Sequence, residues 1–470
     1  MADIKFGTDG WRAVISDDFT FENVKIVAQA IADYLLENKE QDKDINILIG
    51  YDTRFMSDEY AKLVARVLAG NDIKVLISEK EVPTPVLSHN VVDQKADGGI
   101  VITASHNPAC FNGIKFKGSY GGPADPEETA KIEQKLYKNE IKIIDLDKAL
   151  ENNSIKYLDM DTPYLKCIFE YVDIEKIKNS KLKILVDSMH GVGTKYIENI
   201  FKNSNCSVKT IHGDINPSFG GAHPEPIYFN LKELMEECKD NYDIGFATDG
   251  DADRIGVVDN KGNYIFSHET IALLGSYLKE TRNWSGGIVK SISTTSLIDV
   301  MGEDLGIKVY ETPVGFKHIC ELMRSEDILI GGEESGGIGY KNHIPERDSI
   351  LSALLLMEMV LFYNKTLKEI LDDFRDKYGR FYYDRKDIKY NKNEMDKVLS
   401  GLKDIKQEKI LDIPVKEIKD TDGVKHILED GSWLLVRASG TEPIVRIYAE
   451  SKDKDKIKPL IDLGEKLVFG

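Results

Sequence analysis

Short apolar runs alternate with longer segments whose apolar positions recur every three or four residues through most of the chain. The first pattern fits buried strands and the second amphipathic helices, and their alternation is that of an α/β protein. Residues 21–37 and 58–68 read as helices, and residues 45–49, 73–77 and 99–102 as strands. A charged, weakly patterned stretch at 140–153 reads as a connection between domains. A second unit opens at Leu182-Lys183-Ile184-Leu185-Val186-Asp187, after which Gly191-Val192-Gly193 makes a tight turn into a helix. Apolar runs at 244–247 and 255–258 flank an acidic cluster. A third unit holds strands at 287–292, 307–311 and 328–330, a helix at 297–305 and one long helical stretch at 348–377. From about residue 380 the order is strand, helix, two strands and a terminal helix, with a turn at Glu429-Asp430-Gly431. The expected architecture is three successive α/β domains around a central cleft plus a smaller C-terminal α+β domain. Their boundaries are placed at 1–150, 151–256, 257–379 and 380–470.

Composition narrows the functional classes. A chain of 470 residues exceeds what one core organises. A net charge of −18 argues against nucleic acid or an anionic membrane as partner. The five cysteines are scattered and lack CxxC pairing, which implies neither a disulfide framework nor a zinc site. A reducing cytoplasm is the expected location, since no signal peptide is visible at Met1-Ala2-Asp3-Ile4-Lys5. The most apolar run, 351–363, is interrupted by Glu358 and reads as a buried helix too short to span a bilayer.

Four loops carry the candidate chemistry. Thr103-Ala104-Ser105-His106-Asn107-Pro108 leaves a buried strand with a hydroxyl, an imidazole and an amide, and Lys115 follows after Asn112-Gly113-Ile114. Proline pushes Asn107 out of the helical region, so Ser105 sits on a turn where its hydroxyl can carry a phosphoryl group. The plainer reading is a turn whose Ser and Asn bond their own backbone. Asp249-Gly250-Asp251-Ala252-Asp253-Arg254 places three carboxylates at alternate positions. Alternate residues of an extended strand are roughly 6.5 Å apart, too far to share one ion. Gly250 and Ala252 let the backbone curl until the oxygens converge, and oxygen-only ligands suit magnesium. An EF-hand is excluded, because Arg254 and Asn260 stand where glycine and glutamate are needed.

The third loop, Gly331-Gly332-Glu333-Glu334-Ser335-Gly336-Gly337, offers paired acceptors for a sugar's vicinal hydroxyls, or simply caps a helix. The fourth, Arg437-Ala438-Ser439-Gly440-Thr441-Glu442-Pro443, joins a guanidinium, hydroxyls and glycine amides into an anion cradle, or is an ordinary hairpin turn.

Together with Gly7-Thr8-Asp9-Gly10-Trp11-Arg12, these loops resemble, in order and across the whole chain, the α-D-phosphohexomutases. Within that family, Glu311-Thr312-Pro313-Val314-Gly315-Phe316-Lys317 and the Gly-Glu-Glu-Ser loop look most like phosphoglucomutases. Phosphoglucosamine mutases tend to carry Gln in place of the second Glu, and dual-specificity phosphomannomutase/phosphoglucomutases tend to carry Met. Ala13 and Ala109-Cys110 depart from the commonest patterns.

The resemblance implies a phosphate resting on Ser105 and a magnesium ion held by it with Asp249, Asp251 and Asp253. It further implies a hexose 1,6-bisphosphate intermediate that turns around in the site, with glucose 1,6-bisphosphate as activator. Arg12 and Lys115 would neutralise charge or move the proton, with His106 the alternative proton carrier. Thr8, Arg254, Gly315, Glu333, Ser335 and Arg347 would contact substrate; Arg437, Ser439, Gly440, Thr441 and Arg446 would bind its distal phosphate. His343 is read as structural, and the last domain as a lid that keeps water off the phosphoserine. The partners expected are small hexose phosphates. A phosphomannomutase or dual-specificity mutase, an aspartate-nucleophile phosphatase, and a non-catalytic sugar-phosphate binder are the competing readings.

Overall fold

The apolar runs assemble into four sheets in the computed structural model, which describes residues 4–7, 9–39, 43–390, 401, 405–438 and 444–469. The first sheet has the order Trp11–Val14, Phe111–Gly118, Gly98–Ile102, Asn46–Tyr51, Lys74–Ser78, Ile155–Leu158. Its central strands are parallel and covered on both faces, which is why they read as unbroken apolar runs. Helices Phe21–Glu37 and Ser57–Gly70 pack against them. Ile155–Leu158 pairs with Lys74–Ser78, so a boundary at 150 cuts the sheet's edge strand away. The stretch at 140–153 is not a free connection either: helix Leu146–Glu151 seats Ala149 in the first core. Charged residues mask its few apolar anchors.

The second sheet, ordered Tyr264–Ile265, Ile255–Asp259, Ile244–Thr248, Lys183–Asp187, Ser207–Ile211, corrects the next boundary. Ile255–Asp259 returns antiparallel on Ile244–Thr248, so residue 256 lies inside a hairpin whose tip is the acidic loop. After Gly191-Val192-Gly193 no helix begins until Tyr196–Ile200.

The third sheet runs Val309–Thr312, Gly287–Ser291, Ile328–Gly332, Ile338–Tyr340. The helical stretch at 348–377 is two helices, Ser349–Tyr363 and Leu367–Tyr378, bent by 79°. Asn364 adopts a left-handed φ of 51°, and Thr366 restarts the helix with a capping box to Glu369. Ser349–Tyr363 is apolar nearly all round because it is buried nearly all round. No single helix among the described residues is long and apolar enough to cross a membrane.

The C-terminal unit is a six-stranded antiparallel sheet rather than the three strands expected, in the order Tyr382–Lys389, Ile444–Ser451, Trp433–Ala438, Val424–Leu428, Ile413–Lys419, Lys409–Ile410. Helix Ile457–Phe469 covers it. The helix expected after the first strand is not seen among the described residues, which omit 391–400 and 402–404. One hydrophobic cluster runs continuously from Leu48 through Tyr164, Ile184 and Ile271 to Leu354, binding the first three units together. The last unit has a core of its own around Leu434, Val436, Ile447 and Leu460.

The capping box is the local device that separates the two bent helices. Thr366→Ala is expected to cost ~1 kcal/mol at that terminus, read as several-fold faster hydrogen exchange at Glu369 N–H with no change in Ser349–Tyr363.

Candidate active site

Ser105 stands just past the buried end of Gly98–Ile102 with φ 52°, a conformation seldom tolerated by a residue with a Cβ. The surrounding bonds over-determine it. Thr103 Oγ1 accepts from Ser105 N at 2.9 Å and donates to Asp52. The Arg54 guanidinium reaches four loop carbonyls: Ser105 and Asn107, each at 2.6 Å, Pro108 at 2.8 Å and Phe111 at 3.0 Å. Arg12 donates to Asn107 Oδ1 at 2.6 Å. The loop is therefore a preformed perch, not a turn bonded only to itself.

Ser105 Oγ donates to Asp249 Oδ2 across the cleft at 2.9 Å. Here the structure refines the expected roles of the two small residues in the acidic loop. The curl is made at Ala252, with φ 55°, while Gly250 is needed for contact. A Cβ on Gly250 would stand 2.4 Å from the Ser105 carbonyl oxygen. Gly191 likewise packs on the Asp249–Gly250 backbone, where a Cβ would stand 2.8 Å from the Asp249 carbonyl oxygen.

Asp249, Asp251 and Asp253 each present an oxygen within 4.8 Å of the others, all buried. Burial and then Asp253 and Asp251 push the Asp249 carboxyl well above the usual range. Burial pushes Asp251 the same way, but Lys115, Thr84 and Arg347 outweigh it and hold that carboxyl far below. Asp251 Oδ1 and Asp253 Oδ1 are buried acceptors with no hydrogen-bond donor among the described residues. An all-oxygen set with two orphaned oxygens and one carboxyl resisting ionisation fits a hard divalent cation.

Lys115, wholly buried, is bonded to Asp251 at 2.6 Å, Asp9 at 2.8 Å and Asp253 at 3.2 Å. Burial alone would lower its pKa; these three carboxylates raise it instead, so it stays an ammonium. Arg347, expected to contact substrate, is tied into the same set of charges. Its guanidinium joins Asp9 at 2.7 Å, Asp253 at 2.8 Å and Glu346 at 3.1 Å. His106 Nδ1 is 3.5 Å from Ser105 Oγ, and burial, then Arg254 and Arg12, hold its pKa well below 6.5. Its ring is neutral.

The glycine-rich loop meets the acidic loop where Arg254 bridges Gly337. The two glutamates do not form one paired acceptor. Glu334 accepts from Ser291 and Ser293, whereas Glu333 accepts from Gly315 N at 3.0 Å. Burial and the neighbouring Glu334 push Glu333 up to about 7, against the pull of Arg347. Ser335 Oγ is buried without a partner. In the last unit Arg437 and Arg446 are cross-strand partners, with Asp422 and Asp387 beside them at 3.2 and 3.5 Å. Like charges set opposite on a sheet repel, which an anion between them would relieve. Thr8, Ser439, Gly440 and Thr441 lie outside the described residues.

Asp9, Arg54, Thr84, Lys117 and Glu346 are the residues sequence reasoning missed. Asp9 lay within a quoted motif and Glu346 precedes Arg347, but Arg54 and Thr84 carry no local signal.

Family models agree with this geometry domain by domain. Phosphoglucomutase/phosphomannomutase, alpha/beta/alpha domains I, II and III, match residues 3–142, 162–262 and 266–378, and the C-terminal domain matches 391–462. The chain belongs to the phosphoglucomutase/phosphomannomutase family. Among family members, it is 33% identical to a phosphoglucosamine/phosphogalactosamine mutase of Sulfurisphaera tokodaii, with 99% of each chain covered. It is 31% identical to a phosphoglucomutase/phosphomannomutase of Thermococcus kodakarensis, with 98% of each covered. The open form of a Paramecium phosphoglucomutase superposes with a TM-score of 0.85 at 26% identity, covering 100% of this chain and 95% of that one. The chain is thus a phosphohexomutase by family.

Arg54 is the support on which the Ser105 loop depends. Arg54→Ala should speed hydrogen exchange at Asn107 and Phe111 at least ~10-fold, the loss of more than one net hydrogen bond, while the interior of Gly98–Ile102 stays protected.

Proposed function

We propose that the protein interconverts glucose 1-phosphate and glucose 6-phosphate, carrying the phosphoryl group on Ser105. The observation that carries this reading is the Ser105 hydroxyl, fully buried on its strained perch and 2.9 Å from the acidic triad. Asp249, Asp251 and Asp253, with an oxygen on Ser105, would hold magnesium, which would draw charge from a bound phosphoryl group.

Each remaining residue then has a task. Arg12 and Lys115 offset the charge of the phosphoryl group in transfer, and His106 exchanges the proton at Ser105 Oγ. The sugar O6 takes the phosphoryl group as the P–Oγ bond breaks, and the O6 proton passes through the His106 imidazole to Ser105 Oγ, giving glucose 1,6-bisphosphate. After that intermediate turns around, its C1 phosphate returns to Ser105. Arg437 and Arg446, with Ser439, Gly440 and Thr441, hold the phosphate not in reaction. Thr8, Arg254 and Gly315 border the substrate, while Glu333 and Ser335 take its hydroxyls in either pose. Closure of the last domain, with its separate core, would exclude water, and a cytoplasmic setting accords with hexose phosphates as partners.

The Glu333-Glu334 pair supports glucose over amino sugars. The identity to an amino-sugar phosphate mutase keeps that class, with mannose, as the second reading. Turnover of glucose 1-phosphate, mannose 1-phosphate and glucosamine 1-phosphate, with magnesium and trace glucose 1,6-bisphosphate, decides among them. Glucose is expected to lead clearly; comparable turnover of another sugar overturns the specificity.

Ser105→Ala should lower turnover by about a thousandfold or more and abolish the one-phosphate mass increment on that peptide. Removal of magnesium by a chelator should stop the reaction, and its return restore it. As pH rises through 7, Glu333 changes from donor to acceptor, so KM for glucose 1-phosphate should fall between pH 6 and 8. Glu333→Gln should lose that step while retaining the substrate's own phosphate titration.

A further inference from the structure

Away from the phosphoryl-transfer centre, the first three units meet around a second cluster of titratable groups. Cys167 lies on helix Asp161–Tyr171, His89 on helix Thr84–Asp93, and His343 and Asp348 on the segment after Ile338–Tyr340. The Cys167 Sγ is 3.9 Å from His343 Nδ1, and His343 Nε2 is 2.8 Å from Asp348 Oδ2. Asp348 is itself fixed, accepting from Tyr164 Oη at 2.9 and 3.0 Å and from Leu351 N at 2.9 Å. The His343 and Asp348 side chains are wholly buried, whereas Cys167 is half-buried and can be reached from solvent. His89 stacks on His343 with centroids 6.5 Å apart, and its Nδ1 is buried without a partner.

A thiol beside an imidazole, oriented in turn by a carboxylate, is the arrangement that activates a cysteine nucleophile. We propose that Cys167 is a reactive thiolate and a site of covalent oxidation by small hydroperoxides, with His343 and Asp348 as its positioning and proton-donating relay. The reaction balances within the cluster. The thiolate sulfur attacks the terminal peroxide oxygen, the O–O bond breaks, and a sulfenic acid forms. The departing alkoxide or hydroxide takes the proton from the His343 imidazolium, leaving neutral imidazole and an alcohol or water; sulfur is oxidised by two electrons and the peroxide reduced.

The electrostatics agree with the geometry. His343 and then His89 bring the Cys167 thiol down to about 6, while Asp348 and Cys167 overcome burial to push His343 up to about 9. Tyr164 and Tyr171 are the other titratable groups facing the sulfur. Burial raises the thiols of Cys206 and Cys238 to about 11 and about 12, and Cys320 higher still. Cys110 is exposed, which makes it an internal control. All five thiols are free.

The test is site-resolved alkylation of the full-length folded protein by iodoacetamide from pH 5.5 to 9, read by mass spectrometry. Cys167 should reach half its limiting rate near pH 6 and outpace Cys110 by about tenfold at pH 6.5. His343→Gln should move that midpoint above pH 8, and the native profile decides the matter even if this variant does not fold. Hydrogen peroxide followed by a sulfenic-acid trap should label Cys167 before Cys110. A Cys167 rate that rises only above pH 8, or one no faster than Cys110 at pH 6.5, overturns the thiolate. Alkylation with the expected midpoint but no sulfenic adduct overturns the hydroperoxide.

Discussion

The closed set of buried charges around Lys115 is the interaction on which the rest of the molecule depends. One ammonium from the first unit neutralises Asp251 and Asp253 of the second, while Arg347 of the third reaches back to Asp9 and Asp253. Lys117 extends the set by pairing with Glu346 at 2.5 Å. Such groups are costly to bury singly, and breaking one pair commonly costs ~3–5 kcal/mol because the survivor is left uncompensated. The three units are thus held in one arrangement by electrostatic necessity as well as by their shared apolar cluster.

Around that centre, strain and close approach set the geometry for chemistry. Ser105 is kept in the left-handed region by Arg54 and Thr103 rather than by a glycine, which leaves a side chain at the point of contact. Gly250 yields its own side-chain space so that the Ser105 carbonyl can pass beside the acidic loop. The serine is thus held in one position by the folded chain itself.

The C-terminal unit is joined differently. It has its own core and meets the third unit through a small apolar cluster, Ile292 with Trp433, Leu435 and Tyr448, and through polar ties: Asp422 accepts from Val314 N at 2.9 Å, and Lys425 donates to the Ile292 carbonyl at 2.6 Å. Burial and the nearby Lys290 lower Lys425 to about 8.

The helix at Phe21–Glu37 and that at Leu297–Leu305 were legible because apolar periodicity and capping are local properties of the chain. That Ser105 and the three aspartates stand on loops at strand ends was legible, because those motifs follow apolar runs directly, and the structure brings them together. The first two domain boundaries were not, since Ile155–Leu158 declares its membership only by pairing with Lys74–Ser78, and residue 256 by pairing with Ala247. Nor did local pattern reveal the bend at Asn364, where one backbone conformation divides two helices that share a continuous apolar signal. Arg54, Asp9 and Thr84 acquire their roles from partners in other segments, as does the relay from Cys167 through His343 to Asp348. Sequence by itself determined which chemistry the chain carries and which family it resembles, because residue identity and local periodicity are written along one dimension. Tertiary structure alone decided which charges neutralise which, because Coulomb and hydrogen-bond energies depend on separation in space and not on separation along the chain.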